Sequence, residues 1–85
     1  MFSKGDRVKI SEAHHWAQGA TGTIAEHPWP GLPRGQCFRD VPSLQGLLRF
    51  YQVQFDEPHE DGERDGHLYA GGEIDERYLV AHSPV

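Results

Sequence analysis

The sequence predicts an all-β domain, a small and partly open barrel of about five strands. The 85 residues include ten glycines and six prolines, a composition typical of short strands joined by turns. Several segments alternate apolar and polar residues, and no segment has the periodicity of a long helix. Only 36% of the residues are hydrophobic, which indicates one thin core. We therefore expect a single domain over residues 1–85.

The first two strands are expected at residues 5–12 and 19–25. In the segment GDRVKISE, Val8 and Ile10 alternate with charged residues and would point into the core. The segment GATGTIA begins with glycine and contains β-branched residues, which favour strands. Its central Gly22 suits a position where the sheet of a barrel bends sharply.

Residues 27–48 interrupt the strand pattern and predict a long irregular insertion between the second and third strands. This stretch contains four prolines and three glycines in 22 residues, which are the strongest signals for turns and loops. Asp40 precedes Val41 and Pro42 in a pattern that resembles a helix start, because Asp caps helices well and proline fits their first turn. One helical turn is therefore expected over residues 41–46.

The clearest strand follows at residues 50–56, where large apolar side chains alternate with polar ones. Beyond it, turn residues and charges separate shorter elements. The rest of the chain is expected to form, in order, an acidic loop, a short strand, a break at two glycines, a tight turn, a last strand and a frayed tail: residues 56–66, 67–69, 71–72, 74–77, 78–81 and 82–85.

The core and the cellular location can also be predicted. Eight apolar side chains at inward-facing strand positions are expected to form the core: Val8, Ile10, Ile24, Tyr51, Val53, Phe55, Ile74 and Leu79. No apolar run approaches the ~18 residues of a membrane span, and the opening MFSKGDRVKI lacks the apolar stretch of a signal peptide. The lone Cys37 cannot form an internal disulfide, which favours a reducing compartment. A cytoplasmic location is therefore expected.

Charge is distributed unevenly along the chain. Residues 1–55 carry six bases and four acids, a net charge of +2, whereas residues 56–85 carry two bases and nine acids, a net charge of −7. The two lysines and six arginines are scattered and do not form the basic stripe that neutralises phosphates. Nucleic-acid binding is therefore not the expected function.

Neither a metal site nor a catalytic site is predicted. The six histidines and one cysteine lack the spacing of zinc ligands. The acidic run from Asp61 resembles the start of a calcium loop, but its twelfth position is Gly72, where a bidentate glutamate is required. No phosphate-binding loop or nucleophile elbow is present. The chain is therefore expected to be non-enzymatic and to need no cofactor.

Four segments carry a family resemblance: GDRVKI, GTI, YQVQFD and EIDERYL, at residues 5–10, 22–24, 51–56 and 73–79. Together they resemble SH3-like barrels of the electron-transport accessory group. That group includes photosystem I subunit IV, the variable chain of ferredoxin–thioredoxin reductase and the C-terminal barrel of the nitrile hydratase β subunit. The opening strand also resembles the KOW motif of ribosomal and transcription-factor barrels. The resemblance implies an SH3-like barrel with a non-catalytic, accessory role beside a redox or metal enzyme.

The insertion at residues 27–48 is the candidate functional segment, because loops longer than about 12–15 residues in a compact domain usually carry function or are disordered. Two interpretations remain open: a surface that binds a partner protein, or a cover that closes one end of the barrel and enlarges its core. For the first, the expected partner-binding residues are of types that anchor interfaces: Trp29, Leu32, Arg34, Phe38, Arg39, Leu44 and Leu48.

The expected function is therefore that of a protein-interaction module, with an accessory subunit of a redox or metal enzyme complex as its specific form. A KOW-like nucleic-acid-binding barrel is the alternative. The sequence specifies neither the partner nor the oligomeric state.

Overall fold

The computed structural model describes residues 1–14, 16–60 and 68–82. Within these ranges the chain is all-β, as predicted, with six strands and one short 3₁₀ turn. The strands are β1 (Arg7–Ile10), β2 (Thr21–Ile24), β3 (Phe38–Ser43), β4 (Gly46–Glu60), β5 (Leu68–Asp75) and β6 (Leu79–Ala81), and the 3₁₀ turn spans Glu76–Tyr78. The described part of the chain contains no helix that could cross a membrane.

The six strands form one antiparallel sheet that curls into an open half-barrel. Along the sheet the order is β3, β4, β2, β1 and β6, and β5 pairs with β4 as well. The long strand β4 therefore has three partners: β3 along its first part, β2 along its second part, and β5. The prediction of a small, partly open barrel is confirmed.

The hydrophobic core consists of the residues that the sequence pattern predicts. All eight predicted core side chains are buried, and Ala17 and Cys37, which lie in the connecting segments, join them. Tyr51 is the largest fully buried residue. Its hydroxyl accepts a hydrogen bond of 3.1 Å from the backbone N–H of Phe2. The Phe2 ring also packs edge-on against the Tyr51 ring, with 5.5 Å between the ring centres. The segment before β1 is thereby fixed to the core.

The irregular insertion is shorter than expected, because part of residues 27–48 forms β3 and β4 already begins at Gly46. The expected helical turn over residues 41–46 is wrong. Asp40, which would have capped it, instead accepts two hydrogen bonds of 2.8 and 3.1 Å from Arg49 on the neighbouring strand. A cross-strand ion pair has thus replaced the local capping interaction.

Pro42 is compatible with β3 because of the place of that strand in the sheet. β3 lies at one end of the sheet order, and proline is tolerated on edge strands, where its missing N–H can face away from the ladder. The proline signal at this position therefore indicates an edge strand.

The expected break at residues 71–72 is also wrong, since β5 continues through both glycines. A Cβ on Gly71 would overlap the carbonyl oxygen of Val53, and a Cβ on Gly72 would lie 3.4 Å from the ring of Trp16. The glycines therefore allow close contact with β4 and with an aromatic ring. The short strand expected over residues 67–69 is the start of β5, except that His67 lies outside the described residues.

The end of the chain follows the prediction closely. The tight turn expected over residues 74–77 lies later, as the 3₁₀ turn Glu76–Tyr78, because β5 continues to Asp75. The Asp75 carboxylate accepts the backbone N–H of Arg77 at 2.9 Å, and the last strand is β6, one residue later than expected. The expected acidic loop begins too early, because Asp56–Glu60 belong to β4. Its remainder at 61–66 and the tail at 83–85 lie outside the described residues.

We expect Phe55→Ala to destabilise the domain by about 3–5 kcal/mol, because it removes a buried ring and leaves a cavity. Phe55 is buried, and its ring packs against Trp16 at 5.7 Å. Val80→Ala is the matched control, since Val80 is 57% exposed and should change the free energy of unfolding by less than about 0.5 kcal/mol. Denaturant titration measures both values, and equal midpoints for the two variants would contradict the core placement.

The close contact between β2 and β4 predicts that Gly22→Ala is more harmful than Gly72→Ala. A Cβ at position 22 would overlap the carbonyl oxygen of Gln54, which is part of the ladder and cannot move alone. At position 72 the neighbour among the described residues is the side-chain ring of Trp16 at 3.4 Å. We expect a loss of about 1–3 kcal/mol or more for Gly22→Ala, and less for Gly72→Ala. The reverse order in thermal melts would show that the strand spacing is not the limiting constraint.

Candidate functional site

The hairpin formed by β3 and the start of β4 presents exposed leucines at its tip. Ser43 fixes the turn, since its hydroxyl accepts the N–H of Gln45 at 3.1 Å and donates to the carbonyl of Gly46 at 2.7 Å. Gly46 has a positive φ of 106°, which glycine adopts without strain. At this fixed turn Leu44 is fully exposed and Leu47 is 70% exposed. Two large apolar side chains are thus held in solvent by a well-ordered turn.

At the base of the same hairpin, Trp29 and Arg39 form a stacked pair joined to Glu73. The guanidinium carbon of Arg39 lies 4.6 Å from the centre of the Trp29 ring. Arg39 also donates to both oxygens of Glu73, at 2.6 and 3.1 Å. The side chain of Trp29, 53% exposed, is therefore oriented by an arginine that is itself held by a carboxylate from β5.

His27 lies beneath this pair and connects it to the core. Its Nδ1 accepts the backbone N–H of Trp29 at 3.1 Å, so the proton of the neutral ring is on Nε2. Nε2 lies 3.0 Å from the Glu73 carboxylate, although the N–H does not point along that line. Burial opposes ionisation of Glu73, but the hydrogen bonds from Arg39 and the close imidazole of His27 outweigh it and hold the pKa of this carboxyl below its usual value.

The seven predicted partner-binding residues fall into two groups in the structure. Trp29, Arg34 and Leu44 are exposed. The other four are half-buried: Leu32, Phe38, Arg39 and Leu48. Phe38 packs against the ring of the core residue Tyr51 at 5.5 Å, which is the contact expected of a core cover. Both interpretations of the insertion therefore have a structural counterpart, in different residues.

Leu47 belongs with the exposed leucines, but the sequence prediction missed it. It pairs with Pro42 across the hairpin, so both side chains lie on one face of the sheet. The alternation that identifies β4 from Tyr51 onward stops at Arg49, which interrupts the apolar face, while Leu48 and Phe50 occupy the other face. No periodic signal in the sequence therefore identifies Leu47.

Two histidines of the chain form similar local turns that sequence reasoning also missed. In both His14–Trp16 and His27–Trp29, a tryptophan follows two residues after a buried histidine. The Nδ1 of His14 accepts the backbone N–H groups of Trp16 and Ala17 at 3.3 and 3.1 Å. These rings therefore have structural roles. Among the described residues, no group of three His, Cys, Asp or Glu side chains could hold a metal ion.

A polar cleft of about 580 Å³ lies between the loop after β1 and the second part of β4. Its lining includes the carboxylates of Glu12, Asp56 and Glu57. Both oxygens of Asp56 accept from Arg7 at 2.6 Å, and Thr21 donates to one of them at 2.6 Å. These hydrogen bonds hold the pKa of Asp56 far below its usual value. The carboxylate of Asp56 is therefore a fixed structural anion.

Ion pairs use most of the positive charge on the described surface. Four of the five described arginines pair with a carboxylate within the chain: Arg7 with Asp56, Arg39 with Glu73, Arg49 with Asp40 and Arg77 with Asp75. Arg34 is the described arginine without such a pair. The described residues therefore present no continuous basic surface.

Comparison with models of protein families, with curated proteins and with solved structures finds no match to this chain. A function must therefore be inferred from the geometry of the described residues and from the resemblance of the four segments. The hairpin tip, with its fixed turn and exposed leucines, is the best candidate for a functional site.

The Glu73 ion pair predicts a pH-dependent contribution to stability. Because the pKa of Glu73 is lowered in the folded state, its contribution is complete above the unfolded value of about 4.3 and disappears as the pH falls through the folded value. We expect wild type to melt higher than Glu73→Gln near neutral pH, with a difference that shrinks as the pH falls below the unfolded value of about 4.3.

Glu57→Gln is the control for this pH series. Glu57 is exposed and forms no ion pair with another described residue. Its variant should follow the wild-type melting temperature at every pH. A difference between wild type and Glu73→Gln that is constant with pH would show that Glu73 stabilises the domain by shape and not by charge.

Proposed function

We propose that the protein is a non-catalytic protein-interaction module that docks through the tip of the β3–β4 hairpin. The observation that supports this most directly is the exposure of Leu44 and Leu47 on a turn fixed by side-chain hydrogen bonds. Exposed apolar side chains that lie together are typical of surfaces that bind partners. Because the turn is already ordered, docking costs little conformational entropy.

The surroundings of the tip support a neutral, apolar contact. Asp40 and Arg49, the cross-strand pair next to Pro42 and Leu47, neutralise each other. Trp29 stacks on Arg39, which lies on the other face of the hairpin from Leu47, so its exposed ring is a separate feature. A partner with an apolar groove would thus meet the tip leucines and no unpaired charge from this cross-strand pair.

The strand arrangement supports the more specific proposal of an accessory subunit. Strand β6 returns after a 3₁₀ turn to pair with β1, as an SH3-like barrel would require, and β3 then becomes an added strand. The resemblance to the electron-transport accessory group would make the partner a redox or metal enzyme. We place the protein in the cytoplasm in this proposal, because its single cysteine is typical of a reducing compartment.

The KOW-like alternative has less support. Nucleic-acid binding requires arginines and lysines that are available to phosphates, whereas four of the five described arginines are already paired. Binding that fell steeply with salt and disappeared after nuclease treatment would favour this alternative over the protein partner.

Affinity capture with matched double variants tests the docking proposal. Leu44→Ser with Leu47→Ser removes the apolar tip, while Leu68→Ser with Val80→Ser removes two other leucine and valine side chains that are each 57% exposed. We expect wild type and the second variant to capture the same stoichiometric protein from a lysate of the source cells. The tip variant should bind at least about tenfold more weakly.

Two outcomes would contradict this proposal. Equal binding by the tip variant would move the docking surface elsewhere on the protein. The absence of any stoichiometric partner for wild type would remove the interaction role itself. Thermal melts of both variants must match wild type, since all four residues are exposed and make no core contact.

A further inference from the structure

The outer edge of β3 has a specific pattern of free backbone groups. β3 lies at the end of the sheet order. The N–H of Gln52 donates to the carbonyl of Cys37 at 2.8 Å, and antiparallel partners alternate between bonded and non-bonded pairs. The register of β3 and β4 then directs the backbone groups of residues 39, 41 and 43 towards β4. Those of residues 38, 40 and 42 face outward.

Two of the outward groups that an ordinary strand pair uses are missing or already hydrogen-bonded. Pro42 has no N–H, and the carbonyl of Phe38 already accepts the side-chain amide of Gln36 at 2.8 Å. The remaining outward groups are the N–H groups of residues 38 and 40 and the carbonyls of residues 40 and 42. A generic strand added here would leave one donor and one acceptor of its own unpaired, which costs free energy.

We propose that β3 pairs with β3 of a second copy of this chain, antiparallel and centred on Asp40. In this register Phe38 of one copy lies opposite Pro42 of the other. The absent N–H of Pro42 then faces the carbonyl of Phe38 that Gln36 has already satisfied. Two bonds between the Asp40 residues and two from Phe38 N–H to Pro42 carbonyl pair every remaining outward group.

Charge and side-chain packing are compatible with this register. The two Asp40 side chains would be neighbours across the two-fold axis, but each already holds Arg49 in a two-point ion pair. Phe38 and Pro42 lie four residues apart on β3 and therefore share one face of the sheet. Pairing brings Phe38 of each copy beside Pro42 of the other and removes apolar surface from water.

Pro42 and Gln36 thus make this edge selective for its own copy. Natural proteins often use proline to prevent edge strands from pairing. Here the missing N–H of Pro42 and the hydrogen-bonded carbonyl of Phe38 disfavour pairing with other strands but are compatible with the self-pair. The inference concerns the backbone edge of the hairpin. It does not depend on the docking role of Leu44 and Leu47.

Cysteine cross-linking tests the register, in a Cys37→Ala background. Residues opposite each other in a bonded antiparallel pair have Cα atoms about 5.5 Å apart, which fits a disulfide. Asp40→Cys on the two-fold axis should therefore form a disulfide-linked dimer under mild oxidation. Pro42→Cys is the control on the same edge, because its two copies would lie four residues apart, or about 13 Å. Equal cross-linking of the two variants would overturn the proposal.

Sedimentation equilibrium tests the association without any cross-link. The mass of wild type should rise with concentration from 9.6 kDa towards twice that value, and Asp40→Ala, which keeps the backbone N–H, should behave in the same way. Asp40→Pro removes the two central donors and should remain monomeric while melting cooperatively. A wild-type mass of 9.6 kDa at all concentrations, or a dimer of Asp40→Pro, would overturn the proposal.

The double variant Leu44→Ser with Leu47→Ser separates this inference from the docking proposal. Its cross-strand backbone groups are unchanged, so we expect it to dimerise within about threefold of wild type, a shift below about 1 kcal/mol. Loss of dimerisation in this variant alone would show that the tip leucines, and not the β3 edge, hold the copies together, and would overturn the edge proposal.

Discussion

The structure depends on the close contact between β4 and the strands on its two sides. Gly22 on β2 and Gly71 on β5 both lie where a Cβ would overlap a backbone carbonyl of β4. With these two glycines the neighbouring strands can approach β4 from both edges, and the sheet can coil tightly around it. Because the sheet coils, the side chains of Tyr51, Val53 and Phe55 point into one interior. A chain with few apolar residues therefore still encloses a core.

The same strand connects the core to the hairpin. The second part of β4 pairs with β2 and belongs to the half-barrel. Its first part pairs with β3, the strand at the end of the sheet. Because Tyr51 is fully buried and pairs directly with Phe38, the base of the hairpin is anchored in the core. The tip therefore projects from a support that is fixed by core packing.

Sequence reasoning predicted the structure correctly where it depends on a local residue pattern, and it failed where the structure depends on a contact between residues far apart in the sequence. Alternation around Val8 and Tyr51 is a local property, and it identified five of the eight predicted core residues: Val8, Ile10, Tyr51, Val53 and Phe55. Asp40 was misjudged because its partner Arg49 lies nine positions away, and this contact outweighs local helix capping. Gly71 was predicted to break the strand, because the reason for a glycine at this position is its close contact with β4, which its own segment does not reveal.

The candidate site could be predicted only in part. The exposed Trp29 and Leu44 could be chosen from residue type, but the network of Arg39, Glu73 and His27 could not.

The two histidine turns constrain substitution at polar positions as strictly as packing does in the core. At positions 14 and 27 the side chain must supply a flat ring, which packs against Tyr78 or Trp29, and an acceptor at Nδ1 for the backbone two residues later. Phenylalanine and tyrosine lack that acceptor, while asparagine and aspartate lack the ring. Histidine alone combines both features, so these two sites tolerate fewer residue types than most apolar positions, where one hydrocarbon side chain can often replace another.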